Sequence, residues 1–302
     1  MAGKTGGGRG SNQHRIRGVS NSLRGQNNDP GAKLVAPSNV GKNWAELLAQ
    51  FPTFPGEYQA VPEPQWHDLS STLRGVSSKG SGRAVERYIA RESNSLYNDA
   101  KLEGFAFTEP DIVTLLNGGH VAGHTVGEEA QVVGLKKASD YMLNYVDEGN
   151  AIEPGQKISD DLHVFIGASL GIASIAFRGN QDKQHEGPRV RLGGGEEFRA
   201  LDARITPAVL EAGLARIRQI EHPVVRGATW AAFAAYQQFY LDGNKRTGRY
   251  VMNTVLMSHG YDAILIPANI KAQYEDVLVE GYKSGDLTSH IKLLLDLYPQ
   301  ED

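Results

Sequence analysis

Between Gln238 and Arg249 the chain reads Gln-Phe-Tyr-Leu-Asp-Gly-Asn-Lys-Arg-Thr-Gly-Arg, which places one carboxylate, a turn-forming pair and three cations in eight positions. Each residue type suits a polyphosphate. Asp242 is a hard oxygen ligand of the kind that holds Mg²⁺ against phosphates. Gly243 and Asn244 tolerate positive φ, so the loop can fold into a concave nest of backbone N–H groups. A helix starting near Lys245 would aim its unpaired N–H groups and positive dipole end, with Gly248 in its first turns, into the same space. Arg246 and Arg249, three apart, share a face of that helix, and guanidinium forks match phosphate oxygens. Three cations at a helix N-terminus oppose the dipole, a conflict that a bound anion would relieve. A solvated, charged surface turn is the competing reading. Nothing just ahead of Asp242 can act as a base near neutral pH, because Gln238 carries an amide.

Helices must position these residues. Helical periodicity predicts segments over 84–96, 109–117 (with Pro110 early in the helix), 128–148, 159–177, 207–220, 225–241, 246–259, 270–283 and 287–297, with Ser159 as a cap. One stretch differs: Arg189 to Arg199 alternates apolar and polar residues around Gly193, Gly194 and Gly195, a hairpin signal. The expected fold class is therefore mainly α with one β-hairpin. Three regions are expected: a basic Gly-rich tail over 1–42, an appendage and Pro-rich linker over 43–82, and the main domain over 83–302.

Composition bounds the function. The chain has 302 residues and no cysteine, which excludes disulfides and cysteine nucleophiles. Its net charge of −4 conceals a basic tail of about +6 and a body near −10, which argues against nucleic acid as a partner. The tail carries too little apolar residue to fold alone. No signal peptide is visible, and the most apolar run, Leu162 to Phe177, is too short to span a bilayer. A soluble cytoplasmic protein is expected, with secretion as an effector left open. His120 and His124 have metal-ligand spacing in a glycine-rich segment that makes a poor helix. His163 reads as a core histidine, and Trp230, Phe233, Tyr236 and Tyr240 as a core stripe.

The segment 238–249 resembles the signature of the Fic/Doc (Fido-fold) family, His-Pro-Phe-x-Asp-Gly-Asn-Gly-Arg-x-x-Arg. Asp242, Gly243, Asn244, Arg246 and Arg249 match it, and Tyr240 replaces one aromatic by another. Similar features extend over roughly 84–297, including Leu162-His163, Phe177-Arg178-Gly179 and the stretch from Met252-Asn253 to Ile266-Pro267. The resemblance implies a helical Fic-type domain in which ATP seats its phosphates on Gly243, Asn244, Lys245, Arg246, Gly248 and Arg249, with Mg²⁺ on Asp242. It implies transfer of AMP to a hydroxyl side chain of a target protein. The hairpin residues Arg189, Val190, Arg191 and Leu192 would serve as a flap pairing with that target as an added strand. A regulatory partner, of the toxin–antitoxin kind, is compatible with it, and oligomeric state stays open.

Two departures matter. The position of the family histidine, the general base, is Gln238, and loss of a base typically costs about 10²–10⁴ in rate. His222-Pro223 lies twenty residues before Asp242 rather than four, so it is expected to open a helix instead. Lys245 replaces the second motif glycine; in the Doc branch a lysine there accompanies phosphoryl transfer, although that branch generally lacks the arginine kept here as Arg249. Upstream, residues 93–104 resemble the inhibitory helix of many Fic proteins, Ser/Thr-x-x-x-Glu-Gly/Asn. Glu103-Gly104 fit it, with Arg249 the expected partner, while Asp99 stands where the Ser/Thr would be. The expected activity is ATP-dependent AMP transfer weakened at Gln238. A nucleotide-binding protein without catalysis and a Doc-like kinase are the alternatives.

Overall fold

A computed structural model describes Leu69, Leu73 and residues 75–299, except 148, 150, 173–174 and 181–186. The described residues form ten α-helices and one hairpin: α1 Ser81–Ile89, α2 Glu92–Leu102, α3 Glu109–Leu116, α4 Val126–Asp147, α5 Gln156–Ser169, β1 Arg189–Gly193, β2 Glu196–Arg199, α6 Thr206–Ile217, α7 Pro223–Gln237, α8 Asn244–Ser258, α9 Lys271–Ser284 and α10 Thr288–Asp296. They belong to one unit, Ala45–Asp302. The tail expected over 1–42 and nearly all of the appendage expected over 43–82 lie outside the described residues; Leu69 and Leu73 join the core of the main domain. The mainly helical class with a single antiparallel hairpin is what the sequence predicts.

The centre of the domain is the α7–α8 pair. Almost every side chain of both helices is buried, polar ones included, which is the signature of a helix enclosed on all sides. α4 and α5 pack on α8, and α10 packs on α7. Alanines at 228, 231, 232, 234 and 235 keep α7 slim, and a Cβ at Gly248 would lie 3.2 Å from the Ala231 carbonyl oxygen, so the two helices meet almost backbone to backbone.

Several boundaries differ from expectation. The helix predicted over 84–96 is two helices broken at Ala90–Arg91, and the second runs on to Leu102 because Ser95, Leu96, Ala100 and Leu102 bury one face. α5 starts at Gln156 rather than Ser159, whose hydroxyl sits inside the first turn and donates to Gly155 O at 2.8 Å. It also ends at Ser169, short of Phe177, ahead of Gly171 at φ 62°. α7 stops at Gln237, not Leu241, so 238–243 is a loop. α3 matches its signals, with a Thr108–Asp111 capping box and Pro110 in the first turn.

The core tolerates little added volume beside α7. A Cβ on Gly213 of α6 would fall 2.1 Å from the Phe233 ring. Gly213→Ala is expected to destabilise the fold by about 1–3 kcal/mol, read as a lowered midpoint in urea unfolding with an unchanged slope.

Candidate nucleotide site

The loop between α7 and α8 is held by side chains that bind backbone. Gln238 ends α7 in the left-handed region (φ 54°, ψ 60°), the sole non-glycine described residue with positive φ. Its carbonyl accepts Arg178 Nη1 at 2.8 Å, and Arg178 N–H donates to Phe239 O at 2.9 Å. Arg178 is buried and also donates through Nη2 to Leu201 O and to Thr206 Oγ1. Asn244 closes the other end: its Nδ2 donates to Tyr240 O at 2.9 Å and its Oδ1 accepts Tyr240 N–H at 2.8 Å. Tyr240 in turn stacks on His163 at 3.7 Å and donates to Asp160 Oδ1 at 2.6 Å.

These contacts leave Gly243 at φ 74° as the N-cap of α8, with no side-chain cap bond. A Cβ there would meet His163, Ile166 and Leu170 at 3.1–3.2 Å, besides the backbone strain. The uncapped helix start opens on a cavity of about 300 Å³ bounded by Asp242–Arg246, Gln238, Tyr282, Glu103 and the β1 residues Arg189–Arg191. Asp242 is the exposed carboxylate, and its Oδ1 accepts Gly243 N–H at 2.5 Å. Among the described residues no group of three acidic, histidine or cysteine side chains could cage a metal. A lone carboxylate is nevertheless the donor set that suits Mg²⁺, which keeps its waters and takes its other oxygens from phosphates.

Both motif arginines are buried and already face carboxylates. Arg249 donates from Nε and Nη2 to Asp99 Oδ1 at 2.9 and 2.7 Å, and its Nη2 lies 3.5 Å from Glu103 Oε1. Arg246 lies 3.5 Å from Glu103 Oε2, 3.9 Å from Asp242 Oδ1, and donates to Gln131 Oε1 at 3.0 Å. Burial would raise Glu103, but the Arg246 and Arg249 charges outweigh it and hold it below the usual carboxylate range. Burial pushes Asp99 up, against the pull of Arg249. Burial would likewise lower Arg249, and Asp99, Tyr274 and Glu103 more than offset that. The nearer partner of Arg249 is therefore Asp99, not the Glu103 singled out by sequence.

Gln238 has its amide engaged. Nε2 donates to Ala235 O at 2.5 Å and Tyr282 OH at 3.1 Å, and Oε1 accepts Asn244 Nδ2 at 3.0 Å. One lone pair of Oε1 remains for a hydroxyl, and no basic atom is present.

Comparison with known proteins fits this geometry. No family model matches the chain. It is 25% identical over 276 residues to the protein adenylyltransferase Fic of Drosophila ananassae and 24% identical to that of Drosophila melanogaster; each match takes in 88% of this chain. The chain spans about half the length of these relatives, 51% and 52%. Its structure resembles a Fic domain-containing signaling protein from Bacteroides thetaiotaomicron (TM-score 0.56, 18% identity, 78% of this chain and 92% of that one). It also resembles Fic-1 from C. elegans (TM-score 0.58, 16% identity, 78% and 68%). The chain is similar in sequence to Fic adenylyltransferases and shares the fold of Fic-domain proteins.

The residues singled out by sequence do not all reach the cavity. Gln238, Asp242, Gly243, Asn244, Lys245 and Arg246 line it, together with Glu103, Arg189, Val190 and Arg191. Gly248 does not; it is buried in the α7–α8 contact, where its role is to let the helices close. Arg249 sits beneath the wall with Asp99 and Glu103, and Leu192 packs toward the core. Asn244 faces inward as the stitch of the loop rather than outward. His222 is the N-cap of α7, its Nδ1 accepting Val224 N–H at 3.2 Å, with Pro223 following. His120 pairs with Glu129 at 2.8 Å and His124 stacks on Phe107. Sequence reasoning missed the roles of Gln131, Tyr282 and Arg178; the Phe-Arg-Gly triplet was the single signal for the last.

Two buried histidines beside this cluster carry a pH signature. Burial, then the Arg246 charge, pushes His163 down to about 3, although its Nδ1 is bonded to Thr247 Oγ1 at 2.9 Å. Burial, then Arg249 and Lys245, pushes His290 down to about 3 as well. Unfolded histidine titrates near ~6.5, so below that pH the unfolded chain binds protons that the folded one refuses. Stability present above pH ~6.5 is thus lost progressively down to pH ~3, at up to about 1.4 kcal/mol per pH unit for each group. Urea titrations between pH 6.5 and 4 are expected to show a shallower slope for His163→Gln and His290→Gln than for the parent.

Proposed function

We propose that this Fic-like protein binds ATP with Mg²⁺ on the loop 242–246 and transfers AMP, slowly, to a hydroxyl side chain of a target protein. The observation that carries this reading is the uncapped start of α8, set by Gly243 in the left-handed region and opening with Lys245 and Arg246 on the 300 Å³ cavity. Free helix N–H groups with adjacent guanidinium and ammonium groups are an anion seat. Asp242 would hold the metal ion, which would supply charge neutralisation to the phosphate oxygens. The incoming hydroxyl oxygen forms a bond to the α-phosphorus as the bond to the pyrophosphate oxygen breaks, and pyrophosphate departs. Gln238 Oε1 orients the hydroxyl by accepting its hydrogen, and the proton passes to water, since an amide cannot keep it.

The engaged state of the Gln238 amide favours a second reading, in which nucleotide binding supports capture of a partner without transfer. ATP labelled separately at its α- and γ-phosphates distinguishes the readings. Label from the α position on protein supports AMP transfer, and label from the γ position would make Lys245 the mark of a kinase. Nucleotide binding without any label would support the partner-capture reading. Gln238→His is expected to raise α-label transfer by about 10²–10⁴; an unchanged rate would show that the missing base is not what limits the protein.

Glu103 and Asp99 together give the site an inhibited character, because ATP must compete with two carboxylates for the same arginines. Glu103→Gly alone leaves Asp99 on Arg249 at 2.7 Å. A charge-assisted bond contributes about 1.5–3 kcal/mol, or roughly tenfold and upward in affinity. Asp99→Ser combined with Glu103→Gly is therefore expected to tighten ATP binding by about tenfold or more beyond Glu103→Gly, measured by titration calorimetry. Equal affinities of the single and double variants would remove Asp99 from this role.

A further inference from the structure

The two faces of the hairpin differ in kind. On the inner face Val190 pairs with Phe198, and the Phe198 ring packs on Tyr236 and Tyr282 at 5.1 and 4.7 Å. On the outer face Arg189 lies directly opposite Arg199, and Arg191 opposite Glu197. Arg189 reaches Glu197 at 3.3 Å, while Glu196 is taken by Lys283 of α9. Directly opposed like charges such as Arg189 and Arg199 cost a hairpin stability. Arg189 and Arg191 are exposed, line the nucleotide cavity, and stand on a strand whose far edge pairs with no other strand among the described residues. Arg191 makes no ion pair among the described residues.

We propose that this edge selects an acidic protein segment: an extended stretch in which carboxylate side chains two residues apart face Arg189 and Arg191, with the modifiable hydroxyl nearby. The inference rests on the proposed function in taking β1 as the strand that receives the target. The period of 2 along a strand puts alternate target residues on the arginine face, and opposite-charge pairs across adjacent strands are favourable. A strand edge offers unpaired N–H and C=O groups that a peptide backbone satisfies and a nucleic acid cannot. The phosphates of ATP have their own proposed seat at the α8 terminus, so at the cavity rim Arg191 can meet the target directly and Arg189 by exchanging its exposed pair with Glu197. Charge also steers encounter, which makes the preference salt-dependent.

Fluorescent peptides bearing a central Ser, Thr or Tyr, flanked either by Glu or by Gln at alternate positions, would be titrated into the full chain with Mg²⁺ and a non-hydrolysable ATP analogue. The Glu-flanked peptides are expected to bind about tenfold tighter at low salt, with the gap closing as salt screens it. Arg189→Glu with Arg191→Glu should shift the preference to Lys-flanked peptides. Equal binding of the Glu and Gln peptides to the parent chain overturns the inference, and that comparison does not depend on how well any variant folds. So does a charge reversal that weakens analogue binding while leaving the peptide preference intact, or a single-stranded oligonucleotide that competes as well as the acidic peptide. Calorimetry with the analogue alone separates the two proposals. A chain that discriminates peptides without binding the analogue contradicts the nucleotide reading only, and one that binds it without discriminating peptides contradicts only this one.

Discussion

Two guanidinium groups are buried at the start of α8, and much of the site follows from how their charge is met. A buried cation is costly unless paired and hydrogen-bonded. Arg249 has Asp99 at 2.7 Å and Arg246 has Glu103, Gln131 and Asp242. The principal carboxylates come from α2 and its C-cap, so this helix must dock across α8 for the two guanidinium charges to be met. That requirement explains why α2 continues to Leu102 and buries Ser95, Leu96 and Ala100: its apolar face fixes the position from which Asp99 and Glu103 reach over. A polyphosphate brings the same kind of charge as the two carboxylates. Under the proposed function, ligand and α2 would compete for one set of partners, so the contacts that stabilise the protein would also be the ones that oppose binding.

The second constraint is backbone geometry at Gln238. A left-handed non-glycine residue carries strain of order 1–3 kcal/mol, and the surroundings over-determine it. Arg178 holds its carbonyl, Asn244 its Oε1, and Ala235 and Tyr282 its Nε2. The Gln238 side chain is thus integrated into the scaffold. An amide with donors and an acceptor in the right places suits this pocket better as a brace than as a reagent.

How far the sequence disclosed this depends on the kind of interaction. The mainly α class, the hairpin and the turn-to-helix junction at 242–246 were readable because they rest on local patterns: periodicity, turn-forming residues, and cations clustered against a helix dipole. Boundaries failed where a side chain from elsewhere decided them. Ser159 has a capping residue's chemistry but sits one turn inside α5, and the break at Ala90–Arg91 has no proline or glycine to announce it. Glu103 could be singled out from its neighbours in sequence, whereas the closer hold of Asp99 on Arg249 spans 150 positions and is visible only in three dimensions. Gly248 shows the opposite error: its place within the motif suggested a ligand contact, and its neighbour is the Ala231 backbone.

Tyr282 joins features that are otherwise separate. Its ring supports Phe198 of the hairpin at 4.7 Å, and its hydroxyl accepts from Gln238 Nε2 and donates to Ala235 O, at the end of α7. The hairpin and Gln238 therefore share one anchor on α9, further tied to the hairpin by the Lys283–Glu196 pair. Ring and hydroxyl belong to one side chain, so the packing of the hairpin and the setting of the amide rest on the same residue. Mechanically, the surface that would meet a partner and the atom that would meet its hydroxyl are the two ends of a single lever.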